Sequence, residues 1–218
     1  MNVKVHILNA SGNLSPCKNV LQKTAMSVIG KVSRKIVLQN VDIVIKESVN
    51  PEYLQDVDGV GGYCPSENFV EISIDYSHPS FQKNTKKIIE RTLSHELHHA
   101  IRRQAGVKIF GKSLLESMFS EGLADYFAYE ITGDFPIWSI SLSEKDKEKL
   151  MKKAIKNFNQ KMTYADYENW FTTGSKKLQL PRWTGYALGL DMVKKYLQNN
   201  PTKSVSSVIN SSVEKLKL

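Results

Sequence analysis

The chain has 218 residues, a net charge of +8, and 41% hydrophobic against 24% charged residues. That length can bury one sizeable core, and the mix is that of a globular protein rather than a disordered or fibrous one. No stretch approaches the roughly 18–20 apolar residues of a membrane span, and Cys17 and Cys64 are too few for a disulfide framework.

The first residues, MNVKVHILNASGN, lack the basic, apolar and small-residue parts of a signal peptide. With two cysteines expected as free thiols, this points to a cytoplasmic protein with no membrane partner. A basic surface could attract nucleic acid or an acidic partner. The lysines, however, are dispersed over 145–161, 176–177, 194–195 and 203–217, as on solvated helix faces. No helix-turn-helix signature, aromatic strand pair or Cys-rich finger is present, so no specific nucleic-acid partner is expected.

Val3 to Leu8 alternates and predicts a strand, broken at Ala10-Ser11-Gly12. Asn19 to Val32 has helical spacing. Val41 to Lys46 predicts a second strand, and Asn50-Pro51 a turn. Gly59 to Cys64 and Phe69 to Asp75 predict a hairpin. From Asn84 to Gln104 there is no Pro or Gly, and Ile88, Ile89, Leu93, Leu97, Ala100 and Ile101 keep a helical period. Ser80 or Asn84 could cap this helix, and Lys86, Lys87, Arg91, Arg102 and Arg103 take its other faces. A second helix is expected from Ser113 to Ile131, closed by Gly133. Further helices are expected after Ser141 or Ser143, from Thr184 to Gln198 and from Lys203 to Leu216. Tyr164 to Phe171 is an aromatic-rich short helix or loop.

The helix over 84–104 carries His95-Glu96-x-x-His99. Positions four apart share a helix face with Cβ atoms about 5–6 Å apart. Two imidazoles there can hold one zinc ion, with Glu96 beside it as general base for a water. Histidine is a poor helix former, so three of them in mid-helix need a reason. The bland alternative is ordinary surface or core histidines. His98 could pair with His95 instead, but only His99 completes the motif, which leaves His98 a polar neighbour. His6 reads as a strand residue and His78 as a surface loop residue.

A catalytic zinc takes three protein ligands and leaves one position open. The candidate third ligand is Glu121, 22 residues after His99, enough for a turn and a return helix. Asp125 lies four residues further on, on the same face. It could accept the free ring N–H of a ligand histidine and fix its orientation. Alone, such a carboxylate pair would read as solvated.

His95-Glu96-x-x-His99 followed by Glu121-x-x-x-Asp125 resembles the gluzincin metallopeptidases, the thermolysin-like branch of the zincins. More narrowly, Glu121-Gly122-Leu123-Ala124-Asp125 and Gly185-Tyr186-x-x-Gly189 resemble a small bacterial family of predicted zinc-dependent proteases. The resemblance spans roughly residues 60–195. It implies an α+β, zincin-like fold: a small N-terminal twisted sheet with the active-site helix, then a mainly helical C-terminal lobe. The chain is expected to form one catalytic domain over 1–218, with lobes at about 1–106 and 107–218. It also implies that Gly61, Gly62 and Tyr63 form an edge strand that pairs with an extended peptide; the same glycines fit a simple Gly-rich turn.

The implied activity is peptide-bond hydrolysis with one Zn2+ per chain, held by His95, His99 and Glu121, with Glu96 as general base and a peptide or protein as substrate. Negative charge developing on the carbonyl oxygen needs a donor beside the metal. Thermolysin-like enzymes use a downstream histidine, and here no histidine follows His99. Tyr186 is the first candidate and Arg182 the second; against them, Tyr186 could be a core residue beside two glycines that ease helix packing. The rival classes are a non-peptidase zinc-binding protein on the same scaffold and a basic nucleic-acid-binding protein.

Overall fold

A computed structural model describes residues 2–107 and 113–216. The fold is α+β, with a small mixed sheet near the N-terminus and a mostly helical remainder. The chain groups into two compact units, Met1–Gln104 with Phe127–Asp134, and Ala105–Tyr126 with Phe135–Leu218.

The first unit is built on four strands in the order β1-β2-β4-β3. β1 (Val3–Leu8) pairs in parallel with β2 (Val41–Glu47). A parallel pair needs a crossover, supplied by α1 (Lys18–Lys35). β2 pairs in parallel with β4 (Phe69–Ile74), and β3 (Val60–Ser66) returns antiparallel at the edge. Alternate residues are buried: Val41, Ile43 and Ile45 on β2, and Val70, Ile72 and Ile74 on β4. That period of two marks a sheet covered on one face. α1 covers it with Leu21, Ala25, Val28, Ile29 and Val32, one helical stripe.

α2 (Pro79–Gln104) packs on α1, β3 and β4. It starts at a proline, suited to the first turn of a helix, and His78 Nδ1 accepts from the Ser80 amide at 3.2 Å. Asn84 (φ −131°, ψ 28°) breaks the helical path inside it. Neither position expected as the cap serves as one: Ser80 lies inside the first turn, and Asn84 is the kink. Every residue from Ile88 to Arg102 is buried. Arg91 and Arg102, expected on the faces away from the apolar stripe, are therefore buried as well. Arg91 Nη2 donates to Asp58 Oδ2 at 2.8 Å.

α3 (Leu114–Thr132) contributes residues to both units and ends at Gly133, whose φ of +78° needs a residue without a Cβ. In the second unit, α4 (Glu144–Ile155) is capped by Ser143, whose side chain accepts from the Asp146 amide. α5 (Tyr164–Tyr167) begins with a Thr163/Asp166 capping box and runs into a π-turn over Glu168–Thr172. α6 is Thr184–Asn199. Leu114, Met118, Leu150, Ala154, Trp170, Phe171 and Leu188 share one core here. The expected helix over Lys203–Leu216 is not continuous: a 3-10 turn at Ser206–Val208 precedes the short α7 (Val213–Leu216). No helix among the described residues is long and apolar enough to cross a membrane.

Candidate metal centre

The chemistry of α2 sits on its most buried stretch. Leu93, Leu97 and Ala100 are wholly buried and anchor the helix, with His95 and His99, also buried, one turn apart on it. Their Nε2 atoms face each other at 3.0 Å, with the rings nearly perpendicular at 84°. Two ring nitrogens can approach this way only with a proton or a cation between their lone pairs. His98 points into the core of the first unit instead. It is fully buried with its ring 5.3 Å from Phe127. Burial first, then the nearby Arg102 charge, push its pKa well below the ordinary value, so it stays neutral.

β3 lies against the same helix. A Cβ on Gly62 would sit 2.5 Å from Glu96 Oε1 and 2.6 Å from its Cγ, so the glycine is what lets the strand backbone reach the carboxylate. Gly61, Gly62 and Tyr63 pair with Ser73, Ile72 and Glu71 of β4 on one side. On the other side β3 has no strand neighbour among the described residues. The Tyr63 side chain is 54% exposed. Cys64, next along, is buried and a free thiol. Burial, then the Glu96 carboxylate, push its pKa up to about 12, so it stays protonated.

Within the second unit, Glu121 and Asp125 lie one turn apart on α3, both buried. Trp138 Nε1 donates to Asp125 Oδ1 at 3.1 Å. The Tyr167 hydroxyl donates to Glu121 Oε1 at 3.3 Å and lies 3.3 Å from the Tyr186 hydroxyl. α6 reaches α3 backbone to backbone: a Cβ on Gly122 would collide with the Gly189 carbonyl, and one on Gly189 with the Met118 carbonyl. That contact sets the axial position of Tyr186 relative to Glu121. Gly185 makes room for the Phe171 ring, which stacks on Tyr167 at 4.7 Å and meets Tyr186 edge-on at 5.3 Å. Arg182 is placed differently. Its Nε donates to the Thr172 carbonyl at 3.0 Å and its guanidinium lies 4.4 Å over the Trp183 ring.

His95, His99 and Glu121 form a buried group whose ligand atoms all lie within 4.8 Å of one another. Two imidazoles and a carboxylate are the donor set of a catalytic zinc with an open position. The close nitrogen pair on α2 suits a cation of that size, so the residues fit the ion. Sequence reasoning missed Tyr167 and Trp138. The aromatic run at Tyr164–Phe171 was the only signal for Tyr167, and nothing in its spacing links it to Glu121.

A family model for a predicted Zn-dependent protease (DUF2268) matches residues 21–217. No curated protein and no solved structure matches the chain.

Proposed function

The chain belongs to the family of predicted Zn-dependent proteases, and from that premise we propose that it hydrolyses peptide bonds at one zinc ion held by His95, His99 and Glu121. The observation that carries this reading is the buried group of three ligand atoms. A zinc ion bound there supplies Lewis acidity, lowering the pKa of water toward about 7 and polarising a substrate carbonyl.

Glu96 takes the proton of the attacking water and passes it to the leaving amine. Its contact with the Gly62 backbone keeps the carboxylate beside the open edge of β3. An extended peptide adding to that edge would be held by its main chain, with modest sequence selectivity. Tyr186 gives a hydrogen bond to the carbonyl oxygen as it becomes negative. Tyr186 is preferred to Arg182 because its hydroxyl lies 3.3 Å from that of Tyr167, which reaches Glu121, whereas the Arg182 guanidinium is turned to Thr172 and Trp183. Asp125, steadied by Trp138, accepts the free ring N–H of a ligand histidine. A cytoplasmic location is part of the proposal, supported by two free thiols.

The test is metal content by elemental mass spectrometry, on the wild type and on Glu121→Ala, followed by cleavage of a peptide library. The expected result is near one zinc per wild-type chain, lost or sharply weakened in the variant. No uptake after zinc reconstitution would overturn the reading. Zinc uptake without hydrolysis of any peptide would favour a binding protein on the same scaffold.

A further inference from the structure

We infer that Tyr167 is a positioning residue for this site: its phenol orients the carboxylate of Glu121, and its oxygen holds the Tyr186 hydroxyl in place. The inference rests on the zinc reading above.

A phenol has one proton to give and an oxygen that can accept. Tyr167 gives its proton to Glu121 Oε1. Toward Tyr186, 3.3 Å away, it can then only accept. At rest the chain therefore runs from Tyr186 to Tyr167 to Glu121, and Tyr186 must turn its one proton away from Tyr167 to serve the carbonyl oxygen. The Tyr167–Glu121 distance of 3.3 Å exceeds the about 2.7–2.8 Å of a settled O–H···O bond, so this bond has room to tighten. A carboxylate held at one oxygen presents the other in a defined direction, and partners of this kind tune a ligand much as they tune a ligand histidine.

The rings are held independently of these bonds. Phe171, fully buried, stacks on Tyr167 with an interplanar angle of 14° and meets Tyr186 at 90°. Tyr167 itself sits where α5 becomes the π-turn, closed by the Thr173 amide on the Glu168 carbonyl at 2.9 Å. Single π-turns of this kind recur at functional sites. Removing the hydroxyl therefore leaves the ring where it is.

The experiment compares zinc affinity, by chelator competition, in the wild type, Tyr167→Phe, Tyr186→Phe and Phe171→Leu. Visible absorption of the cobalt-substituted proteins reports ligand geometry alongside. Tyr167→Phe is expected to bind zinc about tenfold more weakly and to shift the cobalt spectrum. Tyr186→Phe is expected to keep wild-type affinity and to lose turnover rather than substrate binding. Phe171→Leu, which keeps both hydroxyls but removes the stack, should weaken zinc less than Tyr167→Phe; the reverse order would mean that Tyr167 acts through packing and would overturn the inference. Wild-type zinc affinity and spectrum in Tyr167→Phe would overturn it alone, leaving the zinc site standing. A wild type that takes up no zinc would overturn both.

Discussion

α1 and α2, the two long helices of the first unit, follow different rules. α1 buries Leu21, Ala25, Val28, Ile29 and Val32 and exposes what lies between, including Val20 and Met26. Its sequence is accounted for by one apolar stripe on a sheet. α2 is buried at every position from Ile88 to Arg102, yet that stretch includes Glu90, Arg91, His95, Glu96, His98, His99 and Arg102. Buried charge is costly without a partner. Some of it is matched, with Lys31 on Glu90 at 3.0 Å and Asp58 on Arg91 at 2.8 Å. Packing alone would have filled these positions with leucine. Local rules fail first at sites kept for function, and the proposed metal site would account for His95, Glu96 and His99 in this helix.

The largest expected effect comes from Glu96→Gln. Peptide hydrolysis should fall about 10^2–10^4-fold, with zinc content unchanged by mass spectrometry; unchanged hydrolysis would return α2 to the class of α1. Leu21→Ala tests the other helix. It should cost about 2–5 kcal/mol in urea denaturation while activity per folded molecule stays constant, and a loss of turnover here would mean that α1 is not mere scaffold. Gly62→Ala acts on α2 from outside, by pushing on Glu96. Hydrolysis should drop roughly 10- to 100-fold with zinc retained and little change in melting temperature. At the bottom of the scale, exposed Lys23 of α1 should tolerate alanine within about 0.5 kcal/mol.

The strands, α1, the β3–β4 hairpin and the helices α2 and α3 were legible because apolar period and turn residues agree there. His95, His99 and Glu121 were legible as a group that could hold a metal ion because their spacing has a chemical meaning whatever the fold. The full burial of α2 was not, since Lys86, Lys87 and the arginines mimic a solvated face. Tyr167 was hidden for another reason. Its contact with Glu121 spans 46 residues, and an aromatic run carries no period that names a partner. At the C-terminal end, Val205, Val208, Ile209 and Val213 are buried at helical intervals, but the intervening serines take the backbone elsewhere. Ser204 and Ser207 each accept the other's amide through their side chains, the competition that makes serine a turn former.

The open side of β3 has a cost separate from the role in hydrolysis proposed for it. A strand left free to receive an extended peptide is equally free to receive another copy of itself, the first step of edge-to-edge aggregation. The sequence of this strand answers that hazard without closing the edge. Gly61 and Gly62 give poor strand propensity, Pro65 removes an amide donor, and a register shift between Tyr63 and Ser66 disrupts the ladder. An edge interrupted in this way would suit a short stretch of peptide while offering little ladder to seed a fibre.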